Sequence, residues 1–181
     1  MSVHDPYMLP AGLPVPVDDG AADHLTGAEL PDVVLPSSRG AVNIRDFEVL
    51  YVYPRSGRPG VELLPGWDEI PGARGCTPQS CGFRDRHTEL AARDLRVAGV
   101  SAQSLDDQLE FADRNRMPFP VISDEWLELA RDSGFPTFEV EGLTLYKRLA
   151  LVAERGTIVK VFYPVFPPDR NAEEVLEWLG S

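Results

Sequence analysis

Cysteine is nearly absent from this chain, with two in 181 residues. Two thiols cannot staple a domain of this length, so a disulfide framework is a poor reading. They lie together in Cys76-Thr-Pro-Gln-Ser-Cys81, which points to a local task. No run approaches the roughly 20 apolar residues of a membrane helix. Met1 to Pro16 carries neither a basic leader nor an apolar stretch typical of a secretory signal. A cytoplasmic location is therefore expected, where thiols are kept reduced. Positive charge is in deficit: 17 Lys and Arg against 29 Asp and Glu give a net charge of −12. That argues against nucleic acid and anionic membranes as partners. Of the three histidines only His87 is close to the cysteines in sequence, so a four-ligand zinc site is not assembled. No metal and no cofactor is expected. A Cys-x-x-Cys pair, the usual signature of a disulfide oxidoreductase, is also missing.

What is present describes one globular domain with an appended tail. Residues 1–28 carry scattered Pro, Gly and Asp without a period and read as an irregular arm, draped over the domain or disordered. The domain proper is expected over 29–181. Val33-Val34-Leu35 and Ala41-Val42-Asn43-Ile44 flank Ser37 to Gly40 as a hairpin. Phe47 to Tyr53 is an almost unbroken apolar run, as in a strand buried on both faces. Between Pro54 and Gly75 stand four prolines and five glycines. This stretch is too long for a plain connection and marks a functional loop or an insertion at about 55–75.

Thr77-Pro78 then signals a helix start, Thr as cap and Pro at the first helical position, with a helix running to about Arg93. Phe83, His87, Leu90 and Ala91 would form its buried stripe. Leu95 to Ser101 reads as a strand, and Ser104 with Asp107 as the opening of a helix. Phe119 to Ile122 reads as another strand, followed by a helix capped by Ser123 and stopped at Gly134. Strands near Leu149–Glu154 and Ile158–Tyr163 meet at Arg155-Gly156. Asn171 and Glu174 suggest a capping box for a last helix ending at Gly180. The order, hairpin then β-α-β-α-β-α then β-β-α, predicts an α/β fold. Its central mixed sheet should carry helices on both faces.

The chemistry concentrates at Cys76. At a helix mouth up to four amide N–H groups lack intrahelical partners, and the dipole favours negative charge, so thiolate is stabilised over thiol. A thiolate attacks peroxide oxygen to give a sulfenic acid, and a second thiol condenses with that to a disulfide. Cys81 is placed for this second task. Inside one regular helix the two Cα atoms would stand about 8–9 Å apart, whereas a disulfide needs less than about 7 Å. Either the helix start unravels, or Cys76 sits just ahead of the cap and less unravelling is needed. The bland alternative, two inert core thiols, fits a helix-mouth position poorly. Arg84 and Asp85 lie about two turns on and read as a salt bridge on the helix surface. The aromatic group Phe162, Tyr163 and Phe166 reads as core or interface, and Trp67 as either packing or lid.

Several blocks carry a resemblance: Tyr51-Val-Tyr-Pro54, Gly75-Cys-Thr-Pro-Gln-Ser-Cys-Gly-Phe-Arg-Asp85, Gly99-Val-Ser-Ala102, Pro118-Phe-Pro-Val-Ile-Ser-Asp124 and Tyr146-Lys-Arg-Leu149. From about Leu30 to the C-terminus the chain resembles the Q-type, or bacterioferritin co-migratory, peroxiredoxins. The resemblance implies a thioredoxin-like fold and reduction of hydroperoxides with a thioredoxin-like dithiol as electron donor, by a monomer or weak dimer. It implies that Cys76 is the peroxidatic cysteine and Cys81 the resolving one. Arg148 would polarise the peroxide and steady the thiolate, and Pro54 would shield the site. Two positions depart from the pattern. Ala73 stands where the family usually has a threonine, leaving Thr77 or Ser56 to supply the hydroxyl. The 21 residues between Pro54 and Cys76 exceed the family's usual loop. A different function built on the same disulfide, a redox-sensing module whose change in helix order is read by a partner protein, is also compatible with these residues.

Overall fold

The computed structural model describes residues 5–180; His4, with the rest of residues 1–4, and Ser181 lie outside them. A seven-stranded sheet has the order β2-β1-β5-β4-β3-β8-β9. Its members are β1 (Val34–Ser37), β2 (Gly40–Asn43), β3 (Val49–Val52), β4 (Val97–Ser101), β5 (Val121–Ser123), β8 (Leu149–Glu154) and β9 (Thr157–Phe162). The β3, β4 and β5 strands run parallel, while β1, β8 and β9 pair antiparallel with their neighbours. The sheet is mixed, as the element order requires. The hairpin closes through Ser38 and Arg39, with Ser37 opposite Gly40. A separate two-stranded ribbon, β6 (Thr137–Val140) with β7 (Leu143–Tyr146), is a feature the sequence reading missed. Its strands do alternate, with Phe138, Val140 and Leu145 packed beside Trp67 and Thr137, Glu139 and Thr144 between them, but each strand is only four residues long.

Strand residues alternate between two cores because successive side chains leave opposite faces of a sheet. Leu50, Val52, Ala98, Val100, Leu149 and Leu151 pack on one side. Val49, Tyr51, Tyr53, Val97, Val121, Ala150 and Val152 pack on the other. The second core is covered by α1 (Cys76–Asp85), α2 (His87–Ala91), α3 (Leu105–Arg114) and α5 (Asn171–Leu179), through Phe83, Leu90, Phe111 and Val175. The first is covered by the short α4 (Glu128–Ser133), through Leu129, and by Ala22, Leu25 and Leu30. No residue between 5 and 28 belongs to a helix or strand, yet Leu25 is fully buried.

Four local expectations are corrected. The helix after the long loop begins at Cys76, not Pro78, and its N-cap is Gly75 at φ +113° instead of Thr77. Only glycine suits that backbone, and a Cβ there would also overlap Pro168. The same helix does not run on to Arg93: it breaks at Arg86 (φ −99°, ψ 4°), and α2 continues from His87. His87 is consequently only half-buried and Ala91 exposed, while Phe83 and Leu90 lie in the core. Ser123 ends β5 and caps nothing; Asp124 does that work, accepting from the N–H groups of Glu128 (2.8 Å) and Leu129 (3.0 Å). Asn171 is no cap either, since a 3-10 turn (Pro168–Arg170) precedes α5 and the Asn171 amide faces inward to Gln79.

Asp124 also accepts the Tyr146 hydroxyl at 2.6 Å and is 1% exposed. Asp124→Ala removes a helix cap and strands a buried phenol. We expect it to cost about 2–4 kcal/mol in urea-monitored unfolding; a loss below about 0.5 kcal/mol would refute this account of α4.

Candidate active site

Cys76 is the first residue of α1 and 3% exposed. The left-handed Gly75 turns the chain so that the helix mouth opens beside the segment 71–74, and the Cys76 thiol lies 3.8 Å from the Ala73 carbonyl. Arg148 reaches the sulfur from just ahead of β8, its Nη2 at 3.3 Å from Sγ. The remaining guanidinium contacts are neutral oxygens. Nη2 donates to Ala73 O (2.9 Å), Nε to Gly72 O (3.3 Å) and Nη1 to Gln79 Oε1 (2.6 Å). Gln79 is itself fixed by donating to Asn171 Oδ1 at 3.0 Å. Arg148 is 4% exposed, and a buried cation without a carboxylate is costly unless something negative comes near. Among its hydrogen-bond partners Cys76 is the group able to carry that charge. Sulfur, guanidinium and helix N-terminus thus share one small volume, in which an anionic sulfur and a polarised oxygen are both favoured.

A cleft of about 10 Å³ opens at this sulfur, lined by Pro6, Arg55, Trp67, Arg74, Thr77 and neighbouring residues. It has room for about one water. Beside it lies a cavity of about 120 Å³ that shares Arg55, Gly57, Leu63 and Trp67 with the cleft. The long loop is therefore structured at the site. Trp67 is 3% exposed and packs near Phe138 of the ribbon, so it is packing and wall together. A larger apolar cavity, about 370 Å³, touches Arg148 and Gly72 but neither cysteine.

Cys81 lies one and a half turns along α1 and is half-buried. Both cysteines are free thiols. Both are inside one regular helix, so their Cα separation is about 8–9 Å by helical geometry. The bond cannot close without unwinding the first turns of α1, and the milder arrangement with Cys76 ahead of the cap is excluded. The Cys81 thiol lies 3.9 Å from Asn115 Oδ1. Arg84 forms the expected surface ion pair with Asp85 (2.9 Å), and its Nη1 donates to Asn115 O (3.0 Å).

The other candidates separate by geometry. Thr77 lines the cleft, is 2% exposed, and its hydroxyl has no hydrogen-bond partner. A buried polar atom of this kind invites a ligand contact. Ser56 turns away, its hydroxyl and amide both directed at Gln103 Oε1. Pro54 is buried behind β3, its carbonyl accepting from Ser101, and Arg55 and Gly57 form the wall instead. The sequence reading missed Gln79, Asn171 and Asn115; Gln79 stands inside the cysteine motif, but nothing local marks the other two. Among the described residues no cluster suited to a metal ion occurs.

A family model described as Redoxin matches residues 25–176. The chain belongs to that family of thioredoxin-like proteins. Within it, the relatives the chain is similar to include Q-type peroxiredoxins. The chloroplastic peroxiredoxin Q of Gentiana triflora is 29% identical over 125 residues, covering 69% of this chain and 56% of that protein. Peroxiredoxin bcp1 of Schizosaccharomyces pombe is 30% identical over 137 residues, covering 71% and 63%. The chain thus spans 56% to 63% of the length of these relatives. Among solved structures, peroxidoxin BcpB from Mycobacterium tuberculosis has a TM-score of 0.67 at 24% identity, covering 86% of this chain and 96% of that one. A cysteine-to-serine mutant of Xanthomonas campestris peroxiredoxin Q has the same TM-score, 0.67, at 22% identity, covering 86% and 98%. These two likenesses show the fold.

Burial raises the pKa of Cys81; the Asp85 charge adds to this, while Arg84 and Arg114 oppose it. Because the folded value is the higher, the folded helix is favoured below the ordinary thiol pKa and loses that advantage as pH rises through the folded value. In the Cys76→Ser variant, iodoacetamide alkylation of Cys81 should therefore show a higher midpoint pH in the folded protein than in urea. Equal midpoints would refute it.

Proposed function

We propose that this chain is a thiol-dependent peroxidase that reduces hydrogen peroxide and organic hydroperoxides through Cys76, with Cys81 as the resolving cysteine. The observation that carries the reading is the buried Arg148 guanidinium 3.3 Å from the Cys76 sulfur at the mouth of α1. In the first step the Cys76 thiolate attacks the outer peroxide oxygen. The O–O bond breaks, a sulfenic acid forms, and the alcohol or water leaves with one proton. Arg148 stabilises the sulfur anion before attack and the charge on the leaving oxygen during it. In the second step the Cys81 thiol attacks the sulfenic sulfur, the S–S bond forms, and water departs. A thioredoxin-like dithiol then takes the disulfide and returns both thiols.

The small cleft suits the hydroperoxide head group, and the adjoining 120 Å³ cavity under the long loop offers room for an organic remainder. The Thr77 hydroxyl replaces the one missing at Ala73, donating to or accepting from the bound peroxide. Pro54 shields the site indirectly, by setting the path of Arg55 to Gly57. Action as a monomer or weak dimer in the cytoplasm belongs to the same proposal. No helix among the described residues is long and apolar enough to cross a membrane.

The decisive experiment is peroxide consumption with thioredoxin and its reductase. Wild type should turn over, Cys76→Ser should be inactive, and Cys81→Ser should react once and stop. A wild type that forms the disulfide but is not recycled would favour the redox-sensing module instead. Thr77→Val, which keeps the shape and removes the hydroxyl, should lower kcat/KM for hydrogen peroxide about 5–10-fold, the loss of one hydrogen bond. An unchanged value would remove Thr77 from the mechanism.

A further inference from the structure

Residues 5–9 cross the active-site helix and touch both ends of the segment that holds the two thiols. At the Cys76 end, Pro6 is buried and lines the cleft beside the sulfur. Arg74 Nη2 donates to the carbonyls of Asp5 (3.2 Å) and Met8 (3.3 Å), while its Nη1 pairs with Asp68. Leu9 lies close to the left-handed Gly75. At the Cys81 end, the Tyr7 hydroxyl donates to Asn115 Oδ1 at 2.9 Å and accepts from Arg114 Nη1 at 3.2 Å. That same Asn115 oxygen is the acceptor for the Cys81 thiol at 3.9 Å. Asn115 is 2% exposed and is held by its own amide, which donates to Phe111 O at 2.9 Å.

One oxygen therefore binds the resolving thiol and the crossing segment together. Closing the disulfide requires α1 to unwind and Cys81 to leave Asn115, because the helical separation of about 8–9 Å exceeds what the bond allows. Pro6 and Leu9 rest on the turn that must unwind. Resting on the peroxidase reading above, we propose that Tyr7 and Asn115 are positioning residues that latch the resolving cysteine in the reduced helix. Formation of the Cys76–Cys81 disulfide then releases residues 5–9. Coupling of this kind is reciprocal: whatever the bond displaces must oppose the bond. The latch slows the second step and leaves the first untouched, since the Tyr7 side chain does not line the Cys76 cleft. It lengthens the life of the sulfenic acid, and with it the chance of a second peroxide oxidising that acid to sulfinic acid.

Tyr7→Phe in the full chain tests this, because Tyr7 is 46% exposed and the change removes only a hydroxyl. Rapid-mixing tryptophan fluorescence, reported by Trp67 in the cleft wall, resolves the two steps. The peroxide-dependent step should be unchanged and disulfide closure about fivefold faster, the factor carried by one neutral hydrogen bond. The sulfinic acid found by mass spectrometry at high peroxide should fall in proportion. Hydrogen exchange in wild type should show residues 5–9 gaining exposure when the disulfide forms. Closure in the variant at the wild-type rate or slower, or unaltered exchange of residues 5–9, overturns the latch. A wild type in which peroxide forms no bond between Cys76 and Cys81 instead strikes the peroxidase reading itself.

Discussion

Everything at this site depends on a cation buried without a carboxylate. Arg148 is held by carbonyls of residues 72 and 73 and by Gln79, each neutral, and by the sulfur of Cys76. Removing a guanidinium from water is unfavourable, and neutral oxygens offset only part of that penalty. The remainder favours negative charge on the sulfur. The N-terminus of α1 points the same way, with unpaired amides beside the same atom. The long loop before Cys76 matters for this reason: its last turn supplies two of the carbonyls that fix the guanidinium, and Gln79 with Asn171 supplies the rest.

On the peroxidase reading proposed above, the same helix has two incompatible duties. As a complete helix it forms the anion-favouring mouth; as a disulfide-bonded segment it must lose its first turns. The fold separates the two by anchoring α1 beyond the cysteines. Phe83 stacks on Tyr51 with ring centroids 4.5 Å apart and planes 5° from parallel, and both rings are fully buried. Up to Cys81 the helix is tied by the small side chains of the two cysteines against the second core and by the polar contacts of Gln79 and Asn115. These ties bury less apolar area than the stacked aromatic pair, which favours opening at the end where the proposed chemistry needs it.

Local patterns carried much of the architecture. Alternating and continuous apolar runs located the seven strands of the main sheet, because strand burial writes a period directly into the residues. The ribbon of β6 and β7 was missed although its residues alternate, since each strand is only four residues long and the period is too short to stand out. Caps are harder to read. Ser123, Thr77 and Asn171 have the right chemistry for capping, yet Leu127, Gly75 and Arg170 occupy the cap positions, with the Asp124 carboxylate bonding the first amides of α4, because a backbone turn or a distant partner decides which candidate is used. Asn171 illustrates this: its amide is drawn to Gln79, 92 residues earlier, and no window on the chain reveals that.

The sequence by itself determined where the two sulfurs lie, that a helix starts close to the first, and that a mixed sheet supports it. Each of these is set by neighbours within a few residues. Only the tertiary structure decided which groups surround those sulfurs. Arg148, to which the family resemblance alone had pointed, lies 72 positions from Cys76, and Asn115, which nothing in the sequence marked, lies 34 from Cys81; they meet because β8 pairs with β3 and the end of α3 faces α1. Contacts of that kind depend on how strands are ordered across the sheet, which the order of residues along the chain does not express.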